Sequence, residues 1–487
     1  MMDKPIDGKV DQKTHRQSDR SIVPEKPSNV GGGKGLAGMR MKSSDTSAAH
    51  GGGMQMATKL ALIANRAKED SELRFTSLAH HLNGGFLKEC YFELKRNKAA
   101  GIDGVTFEEY GERLEDNIKG LVERLKAKRY RPQPVRRVYI PKVKGKKRPL
   151  GIPTIEDKIV QMGIKKILEA IYEQDFIDIS YGFRPDRSPH QALDALDKVL
   201  MTRPINYIVD VDIEKFFDTI DHKWMMEFLR HRIKDPSLLR LIARFLKSGV
   251  MEEGKLIHTD TGTPQGGNLS PMLANVYLHY VLDIWFERRI KRHLRGYAQM
   301  IRFADDFVIC FQSETEARTF YGQLQERVEK FGMKLSEDKS RIMEFGRYAS
   351  QRGKQVGTFD FLGFTHYCDK TRSGKFKVGR KTASKKYRQK LRSMNVWLKN
   401  VRNQLPLQEW WLVLEQKLLG HYHYYGMSGN MRSLRAYRTQ SIRLAYKWVN
   451  RRSQKRSYNW KQFNNWLKYN PLPEPKIYHR TYTLSSV

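Results

Sequence analysis

The segment IRFADDFVIC, residues 301–310, constrains the fold more than any other part of the sequence. Its two apolar halves have the composition of β-strands. Between them lie Asp305 and Asp306, and aspartate is a common residue in turns. The pattern predicts a hairpin with two carboxylates at its tip. Two interpretations follow: an ordinary turn, or a site where these carboxylates hold a metal ion together with a third one.

A second strand-like segment supplies that third carboxylate. In YIVDVDI, residues 207–213, apolar residues alternate with Asp210 and Asp212, which places both aspartates on one face of a strand. Aspartate is disfavoured in strands. If this strand lies beside the hairpin, Asp212 and Asp305 would meet across the sheet. Because Mg²⁺ prefers carboxylate oxygens and keeps positions for phosphates, the sequence predicts a magnesium site there.

The charge of the chain indicates a polyanionic partner. Its 89 Lys and Arg residues against 53 Asp and Glu give a formal net charge of +36, and such a field favours nucleic acid or anionic lipid. Nucleic acid is preferred, because no run of about 18 apolar residues, and so no membrane-spanning helix, is present. The 22 Phe, 23 Tyr and 8 Trp residues offer surfaces for base stacking, although most are expected in the core.

The cysteines indicate a reducing compartment. Cys90, Cys310 and Cys368 are far apart and form no CxxC pair, so a zinc ribbon is not expected. The N-terminus has no apolar signal core. A cytoplasmic location, with association to the bacterial nucleoid as an alternative, is therefore expected.

The character of the sequence changes along the chain and predicts five parts. Residues 1–57 are glycine-rich and poor in apolar residues, as in disordered segments. Helical patterns and a basic hairpin follow over 58–205, and strands mixed with helices over 206–380. Basic, aromatic-rich helices occupy 381–455, before a basic tail at 456–487. The mixture favours an α+β fold, with helices packed on a small antiparallel sheet.

Seven motifs occur in the order seen in reverse transcriptases of the group II intron type. They are GKKRPLGIP, YGFRPDRS, VDVDIEKFFDTIDH, GTPQGGNLSPMLAN, RFADD, GMKLSEDKS and FDFLGF. The chain resembles this family over roughly residues 75–480, and LLGHYHYYGMSGN and RRSQKRSYNW resemble its maturase-specific helical domain. The resemblance implies a right-hand polymerase: fingers and a palm with a small antiparallel sheet, followed by an α-helical thumb or maturase domain.

The resemblance assigns the chemistry to named residues. Asp212, Asp305 and Asp306 look like the metal-binding triad that holds two Mg²⁺ ions, and Ile213 belongs to both the metal and the nucleotide sites. Lys339, in SEDKS, matches a lysine that protonates or neutralises the leaving pyrophosphate; a merely solvated lysine is the alternative.

Two further aspartates, Asp210 and Asp218, match no catalytic position and are expected to be structural or at the surface. The pair His421 and His423 has the spacing H-x-H. Because no cysteine or acidic residue is close in sequence, aromatic packing or RNA contact is favoured over metal binding.

A separate set of residues is assigned to nucleotide binding. Lys142 and Arg148 resemble residues that grip the triphosphate, for which a guanidinium fork suits phosphate oxygens. Phe217 would clash with a 2′-hydroxyl and so favour deoxynucleotides, or else belong to the core. Gln265 would pack near the incoming nucleotide and template, and Gly266 would allow close backbone approach; an ordinary helix-entry turn is the alternative.

The activity that the resemblance implies is RNA-directed DNA synthesis. A primer 3′-hydroxyl would attack the α-phosphate of a dNTP with two Mg²⁺ ions, releasing pyrophosphate. The implied partners are an RNA template, a structured intron RNA and a DNA primer or target, with no membrane and an open oligomeric state. Two alternatives remain: an RNA-binding splicing cofactor with an inert palm, or an intron-derived enzyme recruited to DNA repair or phage defence.

Two features distinguish the chain within that family. Phe303 stands where the family usually has tyrosine, which bears only on fine nucleotide selection. The cysteines and histidines of a zinc-type HNH endonuclease are lacking, so the resemblance is to the bacterial type without that domain.

Overall fold

A computed structural model describes residues 50–141, 147–252, 255–257, 261–263, 266–351, 356–452 and 458–481. The chain divides into two compact units. The first unit contains residues up to Arg187, Ile213–Leu294 and Gly322–Ser336, and the second contains Ser188–Asp212, Arg295–Tyr321 and residues from Glu337 onward.

The regular elements are numbered along the chain. The α-helices are α1 His50–Glu69, α2 Gly84–Phe92, α3 Phe107–Glu112, α4 Leu114–Lys126, α5 Ile155–Tyr172, α6 Pro189–Thr202, α7 Phe216–Thr219, α8 His222–Arg230, α9 Pro236–Leu246, α10 Ser270–Leu278, α11 Lys291–His293, α12 Glu314–Lys330, α13 Arg347–Gln351, α14 Ser384–Val401, α15 Leu407–Tyr425, α16 Met431–Val449 and α17 Trp460–Tyr469. The strands are β1 Val135–Pro141, β2 Lys147–Ile152, β3 Tyr207–Asp212, β4 Val250–Glu252, β5 Lys255–Ile257, β6 Ala298–Phe303, β7 Asp306–Phe311, β8 Arg341–Glu344, β9 Phe359–Phe361, β10 Phe364–Lys370 and β11 Phe376–Thr382.

The first unit is built around the buried helix α5. Its side chains include the fully buried Ile159, Ile164 and Ile167, and α5 packs against α1 and α2. Thr154 begins the helix by accepting a hydrogen bond from the backbone amide of Asp157 at 3.1 Å, which satisfies an otherwise unpaired donor. The same unit holds a four-stranded sheet in the order β2-β1-β4-β5, in which β1 and β4 are parallel.

The second unit contains the sheet that carries the predicted metal ligands. Its order is β6-β7-β3-β8, and every neighbouring pair is antiparallel. In β3, Val209 and Val211 are buried whereas Asp210 and Asp212 are partly exposed. The alternation therefore separates an apolar face from a carboxylate face, as the sequence predicts.

The second unit also contains a three-stranded sheet, in the order β11-β10-β9, and the helices α14–α17. Their interior is rich in aromatic residues such as the fully buried Trp410 and Tyr422. No helix in the described part of the chain is long and apolar enough to cross a membrane.

The mixed α+β architecture with small antiparallel sheets and a helical C-terminal region is confirmed. So is the hairpin over residues 301–310, formed by β6 and β7. Residues 214–247 form three separate helices, α7, α8 and α9, since Asp221 and Asp235 each cap a new helix. The predicted disorder of 1–57 lies largely outside the described residues, and α1 begins at His50.

The helical segment after GTPQGGNLSP is not α-helical throughout. Its middle consists of π-helical turns at His279–Asp283 and Trp285–Ile290. The wider turns leave backbone carbonyls without the usual α-helical partners. The buried guanidinium of Arg327 donates to two of them, the carbonyls of Tyr280 and Val281, at 3.2 and 3.0 Å.

Candidate active site

Strand pairing in the second unit brings the predicted carboxylates to one end of a sheet. β3 lies antiparallel to β7, with Asp212 directly opposite Asp306 and Asp210 opposite Val308. Directly opposed residues point to the same face, with Cβ atoms about 5 Å apart. The expectation that β3 lies beside the hairpin is therefore met, although the residue opposite Asp212 is Asp306, while Asp305 occupies the turn.

The turn that presents Asp305 has an unusual backbone. Ala304 has φ +57°, in the left-handed region that residues with a Cβ rarely adopt and that costs roughly 1 kcal/mol or more. The fully buried guanidinium of Arg302 donates from Nη1 to the carbonyl oxygen of Ala304 at 3.0 Å. This bond helps to hold the strained turn, so the tip of the hairpin is a defined structure.

The carboxylates interact electrostatically. Burial, and then the charges of Asp210, Asp305 and Asp212, raise the pKa of Asp306 to about 7. Because the Asp306 residue is exposed to solvent, the crowding of negative charge accounts for the rise in its pKa better than burial does. Like charges this close disfavour simultaneous ionisation, and a bound cation would relieve the repulsion.

A cation of the chain itself lies beside Asp212. Nζ of Lys339 is 2.6 Å from its Oδ2, and the backbone amide of Asp212 donates to Oγ of Ser340 at 3.3 Å. Both contacts arise because Arg341, the first residue of β8, pairs with Asp210 of β3. The motif SEDKS thereby ends beside the last residue of β3.

Asp210 lies on the same face but has different partners. Nε of Arg341 is 3.7 Å from its Oδ2. Burial raises the pKa of Asp210 to about 6, and the nearby Arg341 opposes that rise. The arginine supports the expectation that Asp210 is a structural carboxylate, although Asp210 also adds to the negative field at Asp306.

The carboxylate oxygens of the site have the chemistry that a hard divalent cation requires, but they do not have the arrangement of a metal site. Carboxylate oxygens are the ligands that Mg²⁺ prefers, and the ammonium of Lys339 already occupies the side of Asp212 where positive charge is stabilised. Among the described residues, however, no group of three or more His, Cys, Asp or Glu side chains is arranged to hold a metal ion.

The predicted nucleotide-binding residues belong to the first unit. Lys142 and Gln265 lie outside the described residues. Arg148 lies in β2, opposite Ile140 of β1. Gly266 has φ +121°, and a Cβ there would be 2.4 Å from the carbonyl oxygen of Gly151. The backbone of Gly266 thus lies close to β2, and its role in nucleotide binding stays a prediction.

Phe217 and Ile213 differ in burial. Phe217 is partly exposed and meets the buried Phe216 edge-on, with ring centroids 5.3 Å apart. Ile213 is only 4% exposed and pairs with Leu335 in an isolated bridge. An exposed ring is compatible with a role as a sugar gate, and the buried side chain of Ile213 is not available to a ligand.

A cavity of about 210 Å³ lies in the first unit near these residues. Its lining includes Gly151 of β2, Asp218 of α7 and the segment Thr261–Thr263. Among the described residues, none of those predicted to bind nucleotide lines it. Asp218, predicted to be structural or at the surface, directly follows Phe217 in the chain, and the backbone amide of Thr263 donates to the Phe217 carbonyl at 2.7 Å.

The H-x-H pair packs against aromatic rings. His421 is buried and stacks on Tyr437, with centroids 3.7 Å apart and planes at 14°. His423 is exposed and contacts the ring of Tyr478 at 4.2 Å. Their side chains diverge, so the packing interpretation is supported over a shared metal ion.

Sequence reasoning missed residues that adjoin the site from elsewhere in the second unit. The backbone amide of Leu362 hydrogen-bonds to the Asp306 carboxylate, and the hydroxyl of Tyr424 donates to the Leu362 carbonyl at 2.9 Å. The motif FDFLGF was a signal for Leu362. Nothing in the sequence pattern distinguishes Tyr424 from its aromatic neighbours.

Comparison with known proteins gives a matching domain and several relatives. Residues 140–366 match the family model described as reverse transcriptase (RNA-dependent DNA polymerase). The chain is 35% identical over 302 residues to the group II intron-encoded protein LtrA of Lactococcus lactis subsp. cremoris, covering 60% of this chain and 50% of that protein. It is 38% identical over 199 residues to protein YkfC of Escherichia coli strain K12, covering 40% and 52% respectively.

A further relative is an uncharacterized 91 kDa protein in a cob intron of Schizosaccharomyces pombe. It is 36% identical over 206 residues, covering 42% of this chain and 25% of that protein. The chain spans about half the length of the first curated relatives it matches.

The antiparallel sheet with carboxylates at its hairpin tip lies within the matched residues. Residues 140–366 therefore carry a reverse transcriptase domain. Over 302 residues the chain is also similar to a group II intron-encoded protein.

Proposed function

We propose that this protein is an RNA-directed DNA polymerase whose catalytic carboxylates are Asp212, Asp305 and Asp306. The observation that carries the proposal is the register of β3 and β7, which sets Asp212 opposite Asp306 beside the turn that holds Asp305. That arrangement lies within the residues matching the reverse transcriptase family. The β6-β7-β3-β8 sheet is then the palm of a right-hand polymerase.

The remaining parts of the hand follow the boundaries predicted from the sequence. Residues 58–205 would form the N-terminal helices and fingers, 206–380 the palm, and 381–455 the thumb or maturase domain, with a basic tail at 456–487. The helices α14–α16 lie within the range proposed for the thumb.

The three carboxylates would hold Mg²⁺. When bound, two such ions supply positive charge that stabilises the attacking and leaving oxygens of a phosphoryl displacement. The chain's own contribution is to hold the carboxylates on a rigid sheet and to place Lys339 next to Asp212. From there, its ammonium would donate a proton to the departing pyrophosphate or neutralise its charge.

Substrate selection is assigned to the first unit. Lys142 and Arg148 would bind the triphosphate of the dNTP, Gln265 and Gly266 would contact the nucleotide and template, and Phe217 would exclude a 2′-hydroxyl. The partly exposed ring of Phe217 and the glycine-dependent approach of Gly266 to Gly151 support these roles. Ile213 would contribute through its backbone, since its side chain is buried.

A second function, assistance of intron splicing, is favoured by the charge and by the intron-encoded relatives. The basic, aromatic-rich helices α14–α17 would bind a structured intron RNA through phosphate and stacking contacts. A DNA primer or target would be the remaining nucleic-acid partner. The cytoplasmic location stays a prediction.

Primer extension on an RNA template with Mg²⁺ and dNTPs tests the polymerase. Asp305→Ala should abolish extension while RNA binding is retained. The matched control is Asp369→Ala, which removes a partly exposed carboxylate of the same unit that pairs with Lys377 at 3.1 Å. Extension by Asp305→Ala at the wild-type rate would refute the site. Loss of extension in both variants would show that the assay reports folding and not chemistry.

A further inference from the structure

We infer that Tyr424 is a positioning residue that orients the Asp306 carboxylate through the backbone of Leu362. The inference rests on the proposed function, because it takes Asp306 to be a metal ligand. Tyr424 lies in α15, more than a hundred residues after the hairpin. It acts on the turn between β9 and β10.

That turn consists of Leu362 and Gly363. Phe361 and Phe364 pair across it, so the connection has two residues. Leu362 has φ +49° and Gly363 has φ +83°, and two successive positive φ values are those of a type I′ hairpin turn. Glycine and asparagine suit this turn, whereas a bulky leucine in the left-handed region is strained. The turn therefore depends on outside contacts.

Both backbone polar groups of Leu362 make such contacts. Its amide donates to the Asp306 carboxylate, a bond that lowers the pKa of Asp306 against the stronger opposing effect of burial and neighbouring carboxylates. Its carbonyl oxygen accepts a hydrogen bond from the Tyr424 hydroxyl at 2.9 Å. One strained residue thus links an aromatic side chain of α15 to a predicted metal ligand.

Tyr424 is itself held in place. Its ring lies nearly parallel to that of Phe364, with centroids 6.2 Å apart and planes at 19°. Nε2 of His190 is 2.8 Å from its carbonyl oxygen. The next residue is also fixed, since the buried Asn430 donates from Nδ2 to the carbonyl of Tyr425 at 2.8 Å.

The protonation state of Tyr424 suits the relay. Burial, together with the charges of Tyr425 and Asp306, raises the pKa of its hydroxyl to about 12. The hydroxyl stays protonated at neutral pH and can donate to Leu362. Removing it would leave the Leu362 carbonyl without this donor and free the strained turn to relax, which would turn the amide away from Asp306.

The test compares Tyr424→Phe with Tyr422→Phe. Both remove only a hydroxyl from α15, and the Tyr422 hydroxyl is buried without a partner among the described residues. Mn²⁺ binding, followed by electron paramagnetic resonance, reports on the carboxylates without requiring catalysis. Tyr424→Phe should weaken Mn²⁺ binding by roughly threefold to tenfold, the effect of one hydrogen bond, and Tyr422→Phe should leave it unchanged. Melting temperatures of both variants establish that they fold.

A double-mutant cycle with Asp306→Asn distinguishes positioning from a general effect on the helix. If Tyr424 acts through the Asp306 carboxylate, Tyr424→Phe should change Mn²⁺ affinity by less than about twofold in the Asp306→Asn background. Equal losses in both backgrounds, or equal effects of Tyr424→Phe and Tyr422→Phe, would overturn the inference. The inference would also be overturned if Tyr424→Phe destabilised the fold and the cycle showed no coupling between Tyr424 and Asp306.

The two proposals fail in different ways. Absence of primer extension in the wild type, with Mn²⁺ affinity still dependent on Tyr424, would refute the polymerase and retain the positioning role. Normal extension and normal Mn²⁺ affinity in Tyr424→Phe would refute the positioning role alone.

A higher metal concentration should also rescue the variant. Raising the Mg²⁺ concentration by the same factor as the loss of affinity should restore the extension rate of Tyr424→Phe.

Discussion

Nζ of Lys339 lies 2.6 Å from Oδ2 of Asp212, and the two side chains are 63% and 44% exposed. Ion pairs this exposed contribute between zero and about 1 kcal/mol to folding, because water screens them and ordering two side chains costs entropy. The pair is therefore dispensable for stability, and its ammonium is free to exchange Asp212 for a phosphate oxygen. This makes Lys339 separable from the fold by mutation.

Lys339→Met should lower the rate constant of nucleotide addition by roughly 100-fold or more if Lys339 protonates pyrophosphate, with the melting temperature little changed. Lys339→Arg separates the two proposed roles, because guanidinium retains the charge but does not release a proton in this pH range. Recovery in Lys339→Arg would indicate charge neutralisation, and no recovery would indicate proton donation. Single-turnover extension measures the rate.

The matched control for that series is Lys377→Met. Lys377 and Asp369 form a comparable exposed pair, with Nζ and Oδ2 3.1 Å apart. Lys377→Met should leave single-turnover extension unchanged. If Lys339→Met extends primers as fast as Lys377→Met, Lys339 has no part in the chemistry.

Phe217→Ala should increase ribonucleotide incorporation relative to deoxynucleotide by roughly tenfold or more, since a steric clash with the 2′-hydroxyl would be removed. Its cost in stability should be smaller than that of Phe216→Ala. Phe216 is buried, and deleting a buried phenyl ring typically costs about 3–5 kcal/mol. Incorporation of each sugar from competing nucleotides provides the measurement. Unchanged selectivity in Phe217→Ala would assign Phe217 to the core.

His421 should make folding sensitive to acid. Burial, and to a lesser extent Lys390, lowers its pKa from 6.5 to about 3. As pH falls below 6.5, His421 becomes protonated in the unfolded chain, whereas in the folded chain it stays neutral down to about pH 3. The free energy of unfolding therefore decreases across that interval. His421→Phe keeps a ring against Tyr437 and cannot be protonated. The loss of unfolding free energy between pH 7 and pH 5 should therefore shrink by about 2 kcal/mol.

Urea unfolding at the two pH values measures this difference. His423→Phe, a change of the same kind at an exposed position of α15, controls for the substitution. His366, whose pKa burial also lowers, should keep part of the acid sensitivity in every variant. A His421→Phe protein as acid-sensitive as the wild type would contradict the assignment.

RNA affinity should fall steeply with salt because of the +36 formal charge. For a protein that contacts about 6–10 phosphates, the association constant falls by roughly 10³–10⁵ between 50 and 200 mM salt. Replacing the exposed Lys385 and Lys386 of α14 by alanine should reduce the logarithmic slope by about one for each phosphate that is no longer neutralised. Binding titrations over that range test this, and a flat response would exclude an electrostatic RNA track.

Local signals in the sequence carried the predictions that succeeded. The hairpin of β6 and β7 depends on contacts within residues 298–311, and the carboxylate face of β3 follows from strict alternation along one strand. Contacts between distant segments were not accessible in this way. Which residue opposes Asp212 depends on the register of two strands about ninety residues apart in the chain, and a one-residue change of register exchanges the faces.

The contacts of Lys339 and Leu362 illustrate the same limit. The motifs containing both residues were recognised, but the ion pair with Asp212 and the hydrogen bond to Asp306 require β8 and the β9–β10 turn to be placed first. The division of residues 214–247 into three helices has a local cause: the side chains of Asp221 and Asp235 accept hydrogen bonds from the backbone amides at the starts of α8 and α9.

The most direct test of the central claim compares Asp212→Asn with Asp210→Asn in extension of a primer on an RNA template. The two aspartates occupy alternate positions of one strand and point to the same face, and each change removes one charge and alters almost no volume. Asp210 is accounted for by its ion pair with Arg341, whereas Asp212 is assigned to the metal. We expect no detectable extension by Asp212→Asn and continued extension by Asp210→Asn. Extension by Asp212→Asn at the rate of Asp210→Asn would contradict the assignment of Asp212 to the catalytic site.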